Sequence, residues 1–108
     1  MEYILVHKPV GSLAPEVMKG TLAIAKQLRA NPGAFVPGGK LVESYYAIGQ
    51  QAIFCVWDAP TIDSMAPLMR NMSISGWNTE IVPVERSAVA IENIEKAMLA
   101  VQAMMTGK

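Results

Sequence analysis

The chain has 108 residues, 52 % hydrophobic and 17 % charged, with nine basic and nine acidic side chains that cancel to zero net charge. So apolar and balanced a composition excludes a disordered chain, and the lack of any Lys/Arg cluster excludes the electrostatic footprint of a nucleic-acid or anionic-membrane partner. With Cys55 as the only cysteine, an intrachain disulfide and a CxxC metal site are excluded as well.

The first run, Glu2 to Lys8 (EYILVHK), is β-rich and ends where Pro9 and Gly11 break it, which predicts a strand. Alternation puts Tyr3, Leu5 and His7 on one face and Ile4 and Val6 on the other. This apolar run is far too short for a signal-peptide core or a membrane span, so a soluble cytoplasmic protein is expected. Pro15 suits the first turn of a helix, with Ser12 nearby as a cap. Val17, Thr21, Ile24, Ala25 and Leu28 then recur at helical spacing, while Lys19, Lys26 and Arg29 face water. Asn31-Pro32-Gly33 stops that helix.

The stretch Gly39 to Asp58 (GKLVESYYAIGQQAIFCVWD) predicts a β-hairpin, two apolar and aromatic runs joined at Gly49-Gln50-Gln51. A three-residue loop with Gly49 in the left-handed conformation sets Tyr45 opposite Cys55, Glu43 opposite Trp57 and Tyr46 opposite Phe54. A slip of one residue would exchange the faces. Beyond Asp58, Thr61 or Asp63 caps a second helix containing Met65, Leu68, Met69 and Met72. Pro67 must lie in its first turn, since deeper in the helix it would cost about 3 kcal/mol. Ser75 to Asn78 is a loop anchored by Trp77. Thr79 to Glu85 (TEIVPVE) is a last strand, placed at an edge or bulge by Pro83. From Ser87 a helix carries Ile91, Ile94, Met98, Val101 and Met105, a 3-4-3-4 apolar seam that needs a surface to lie on.

The order β-α-β-β-α-β plus a C-terminal helix predicts an α+β, ferredoxin-like arrangement: an antiparallel sheet with both helices on one face. The expectation is a single domain of residues 1–86, with 87–108 as an amphipathic helix of the same domain. On the assumed register the bare face carries Leu5, His7, Glu43, Tyr45, Ile53, Cys55, Trp57 and Val82. That set is too apolar for water, and packing two such sheets face to face predicts a homodimer.

Four segments carry a family resemblance: Gly39-Lys40, Ala47-Ile48-Gly49, Phe54 through Trp57-Asp58, and Trp77-Asn78-Thr79-Glu80-Ile81-Val82. Together they resemble the muconolactone Δ-isomerase-like branch of the dimeric α+β barrel proteins. In that branch a Gly-Lys opens strand two and a small-apolar-Gly turn joins the hairpin. An acidic residue closes strand three, and an aromatic-containing loop leads into the last strand. The resemblance covers roughly residues 1–85 and implies a dimer with a pocket between the sheet and helices of each subunit. The C-terminal helix is outside the pattern. The family also holds monooxygenases, cyclases, haem-degrading enzymes and domains of no known activity.

Against that frame His7 is the one side chain that titrates near neutrality, fit for a general base or a haem ligand; a hydrogen-bonded surface histidine is the plainer reading. Glu43 in an apolar strand, buried beside Trp57, would have a raised pKa suited to proton shuttling; a solvated glutamate paired with Lys40 or Arg86 is the alternative. Tyr45 would orient a carbonyl. Cys55 reads as an inert thiol, Trp57 and Trp77 as packing anchors or pocket walls, and Arg70 or Arg86 as a fork for a substrate carboxylate. No P-loop, GxGxxG, HExxH or Ser/His/Asp pattern is present. The expected function is a cofactor-independent isomerase or cyclase acting on a small, partly apolar carbonyl or lactone. His7, Glu43 and Tyr45 would be catalytic, with Trp57, Cys55, Arg70 and Trp77 around the substrate and no metal. The alternatives are a non-catalytic ligand-binding or assembly module, and a haem-binding or monooxygenase-like protein using His7.

Overall fold

A computed structural model describes residues 1–107. Four strands form one open antiparallel sheet: β1 (Glu2–Pro9), β2 (Lys40–Ala47), β3 (Ala52–Asp58) and β4 (Trp77–Val84), in the spatial order β2-β3-β1-β4. Three α-helices join them: α1 (Pro15–Ala30), α2 (Ala66–Ile74) and α3 (Ser87–Met105). Pro83 lies on β4, an edge strand, where a missing N–H is tolerated.

The local signals act much as expected, with three changes. Pro15 opens α1, but its N-cap is Ala14 and no side chain caps it, so Ser12 has no such part. On α1, Thr21 and Leu28 are buried and Val17 and Ile24 half-buried, while Ala25 stays exposed. Thr61 does cap: its Oγ1 accepts from the Ser64 N–H at 3.3 Å, starting a 3-10 turn over Ile62–Met65 that runs into α2. Pro67 falls in the first turn of α2, as it must. Trp77 belongs to β4 rather than to the loop before it, because it pairs with Pro9 across the sheet. In the loop before β2, Gly39 is required, since a Cβ there would collide with the buried Val36.

The hairpin register differs from the expected one by a residue. Ala47 faces Ala52 across a four-residue turn, Ile48 to Gln51, in which Gly49 (φ 82°) and Gln51 (φ 50°) both take the left-handed region. The longer turn sets Tyr45 against Phe54, Tyr46 against Ile53 and Glu43 against Val56, and a bulge between Leu41 and Glu43 then sets Leu41 against Trp57.

The covered face also differs. Tyr3, Leu5, Cys55, Trp57 and Trp77 pack with Leu28 of α1 and with Met65, Leu68 and Met72, forming the core under the helices. Leu5, His7, Ile53, Cys55 and Trp57 therefore belong to the helix side, and only Glu43, Tyr45 and Val82 of the expected set lie on the open side. Both alternating sets of β1 and β3 are apolar, so hydropathy alone does not choose between them. The open face holds Ile4, Val6, Phe54, Val56 and Val84, all half-buried within the sheet itself. Helix α3 has no buried residue. It stretches the molecule to 65 × 30 × 19 Å with a radius of gyration of 18.3 Å, where a compact chain of this length has about 13 Å.

Candidate functional site

Between the sheet, α1 and α2 lies a cavity of about 60 Å³ lined by His7, Thr21, Ser44, Cys55 and Arg29, with Leu28, Leu41, Ile53, Leu68 and Met72 among its apolar walls. Strand alternation brings His7 there: the same parity that buries Tyr3 and Leu5 carries the imidazole under the helices, where it is 1 % exposed. Its cross-strand partner on β4 is Thr79, and His7 Nδ1 and Thr79 Oγ1 share a hydrogen bond of 2.7 Å. Burial removes water from the charged form and lowers the His7 pKa to about 4. The ring is therefore neutral at pH 7, and Nε2 is the nitrogen left for a further partner.

Ser44 and Cys55 form a second cross-strand pair, with Oγ and Sγ 3.7 Å apart. Burial pushes the Cys55 thiol up, against smaller downward pulls from the Ser44 hydrogen bond and the Arg29 charge. The thiol stays protonated at neutral pH, an unreactive form. On α1, Thr21 Oγ1 donates to the Val17 carbonyl at 2.7 Å and accepts from Trp77 Nε1 at 2.7 Å. Its one donor and one of its two acceptor positions are thus engaged. Arg29, exposed in the last turn of α1, is also among the cavity-lining residues, and its charge acts on the Cys55 thiol.

The residues expected around the site do not all meet here. Glu43 is exposed on the open face, its carboxylate accepting from the Ser44 N–H at 2.9 Å. Tyr45 is 60 % exposed on that same face. The expected Glu43–His7–Tyr45 convergence is therefore corrected, for the sheet stands between His7 and the other two. The burial of Glu43 beside Trp57 is corrected with it. Trp57 and Trp77 are both core residues and neither lines the cavity. Arg70 is exposed on α2 away from it, and Arg86 pairs with Glu2 at 3.0 Å. Sequence reasoning missed Thr79, Ser44 and Arg29. Thr79 could have been found from its even spacing to Trp77 and Ile81, but Ser44 needed the four-residue length of the hairpin turn. Among the described residues no three His, Cys, Asp or Glu side chains converge as a metal site, and no helix is long and apolar enough to cross a membrane.

No family model and no curated protein matches the chain. Several solved structures are similar to it. The SCO4226 protein of Streptomyces coelicolor A3(2) is 15 % identical, with a TM-score of 0.45 over 81 % of this chain and 99 % of its own. The Atu4242 protein of Agrobacterium tumefaciens is 16 % identical, with a TM-score of 0.45 over 81 % of this chain and 96 % of its own.

Proposed function

We propose that the chain is a homodimeric domain of the ferredoxin-like type whose His7 cavity binds a small, partly apolar carbonyl or lactone compound. The strand order β2-β3-β1-β4, with α1 and α2 together on one face, supports the ferredoxin-like arrangement. The apolar open face supports the dimer. One observation carries the ligand reading: a neutral, buried histidine held through Nδ1 by Thr79 lines a mostly apolar cavity that also has Ser44, Thr21 and Arg29 among its lining residues. Such a ring reads one polar atom of a ligand, and the guanidinium suits a carboxylate beside it.

As it stands the cavity has room for about two waters at ~30 Å³ each, whereas ligand sites run to roughly 300 Å³ or more. A ligand must displace part of the wall, and Met72 is the side chain suited to that because a thioether chain rearranges at little cost.

A catalytic reading, isomerase- or cyclase-type and cofactor-independent, is favoured by the same neutral His7, which can accept a proton from an acidic C–H. Glu43 and Tyr45 take no part in it. The test is thermal unfolding of the native chain against small lactones, enones and their carboxylates. At least one compound should raise the native Tm and leave His7→Phe unmoved. Deuterium exchange at the α-carbon of that compound, lost in His7→Phe, would add catalysis. If no compound shifts the native Tm, the cavity is packing space and the ligand reading falls.

A further inference from the structure

Two apolar surfaces of this molecule have no cover, the open sheet face and α3. From Ala97 to Met105 only Gln102 is polar, and a helix apolar on nearly all sides is a buried element in its working state. Eight large apolar side chains of α3 between Val89 and Met105 are exposed, Met105 at 82 %.

We propose that the cover for each is a second copy of this chain, through reciprocal exchange: α3 of one copy lies along the open sheet face of the other. The proposal rests on the dimer reading above and specifies its contact. Length supports it, because the seam from Ile91 to Met105 rises about 21 Å at ~1.5 Å per residue. Strands of this sheet, seven or eight residues long, extend about 23–26 Å at ~3.3 Å per residue. Area supports it too. A buried apolar side chain of this size removes roughly 60–120 Å² from water. Eight of them therefore bring each arm to roughly 500–1,000 Å², against about 800 Å² per partner in a stable interface. The arm does not cover its own sheet, because it leaves β4 after Glu85 and Arg86 and runs outward, giving the 65 Å long axis. Two-fold symmetry brings both arms into one layer between the sheets, which accounts for the apolar second side of the helix.

Complementation in the full chain tests this, with sites chosen on exposed residues so that the core is untouched. Ile94→Glu/Val101→Glu places acid on the arm, and Tyr45→Lys/Val82→Lys places base on the sheet face. The native chain should sediment as a dimer at micromolar concentration, and each double variant alone as a folded monomer by circular dichroism. An equimolar mixture should recover the dimer, since a glutamate arm meets a lysine face while the other contact is native. A native dimer whose variants stay dimeric, or whose mixture stays monomeric, would overturn arm exchange and leave the dimer reading standing. A native monomer would remove both.

Discussion

The two faces of the sheet are built from neighbouring residues with similar hydropathy, yet their fates differ. Leu5 is fully buried beneath α1 and α2, while Ile4 and Val6, one step either side, reach the open face and remain half-buried. The difference lies in what each face meets. On the covered side Trp57 and Trp77 fill the space beneath the helices; on the open side flat β-branched side chains, Val6, Val56 and Val84, form a surface with nothing above it. Apolar alternation specifies that a strand has two faces, and only tertiary packing chooses the one that the helices take.

The largest expected effect comes from comparing neighbours across that divide. Leu5→Ala should lose about 2–5 kcal/mol of unfolding free energy through lost burial and a residual cavity. Val6→Ala should lose less than about 1 kcal/mol at dilute concentration, where water already reaches its face, and more as protein concentration rises and a second copy covers it. Urea melts at two concentrations a hundredfold apart measure both. Equal, concentration-independent losses at Leu5 and Val6 would break the comparison.

Much of this divide was hidden in the sequence while its elements were not. The Pro9–Gly11 break, the stop at Asn31-Pro32-Gly33, Pro67 in a first turn and Pro83 on an edge strand are local rules, and the structure obeys them. Register is not local. Whether Tyr45 or Ser44 faces Cys55 depends on the length of the turn at Ile48 to Gln51, a difference of one residue. His7 stood out as the sole histidine, but its partner Thr79 becomes visible only when β1 and β4 are aligned. Arg29 was read as water-facing, which it is; that it also lines the cavity follows from where α1 sits over the sheet.

Burial on the covered face also makes stability depend on pH. The His7 pKa lies at about 4 in the folded chain against 6.5 when solvated, so below pH 6.5 the unfolded chain takes up a proton that the folded one refuses. Stability is greatest above pH 6.5 and falls as pH drops towards 4, by about 3 kcal/mol in all at ~1.4 kcal/mol per unit. His7→Phe should flatten that part of the curve while lowering its plateau, because Thr79 loses its partner. Chemical denaturation at half-unit intervals from pH 7.5 to 4 reads both. A native curve with the same slope as His7→Phe would mean that water reaches the imidazole.

The smallest effect separates the two tryptophans within the covered face. Both are buried, but Trp77 Nε1 donates to Thr21 Oγ1 whereas Trp57 Nε1 has no partner among the described residues. Each Trp→Phe change removes similar volume. Trp77→Phe additionally loses a hydrogen bond, about 0.5–1.5 kcal/mol, while Trp57→Phe removes an unsatisfied buried donor whose desolvation costs about 1–3 kcal/mol. Trp57→Phe should therefore be the milder change by at least ~1 kcal/mol, read as a difference of several degrees in Tm for a domain of this size. The opposite order would mean that the indole of Trp57 packs well enough to outweigh its orphaned N–H. In that case shape rather than polar satisfaction governs the covered face.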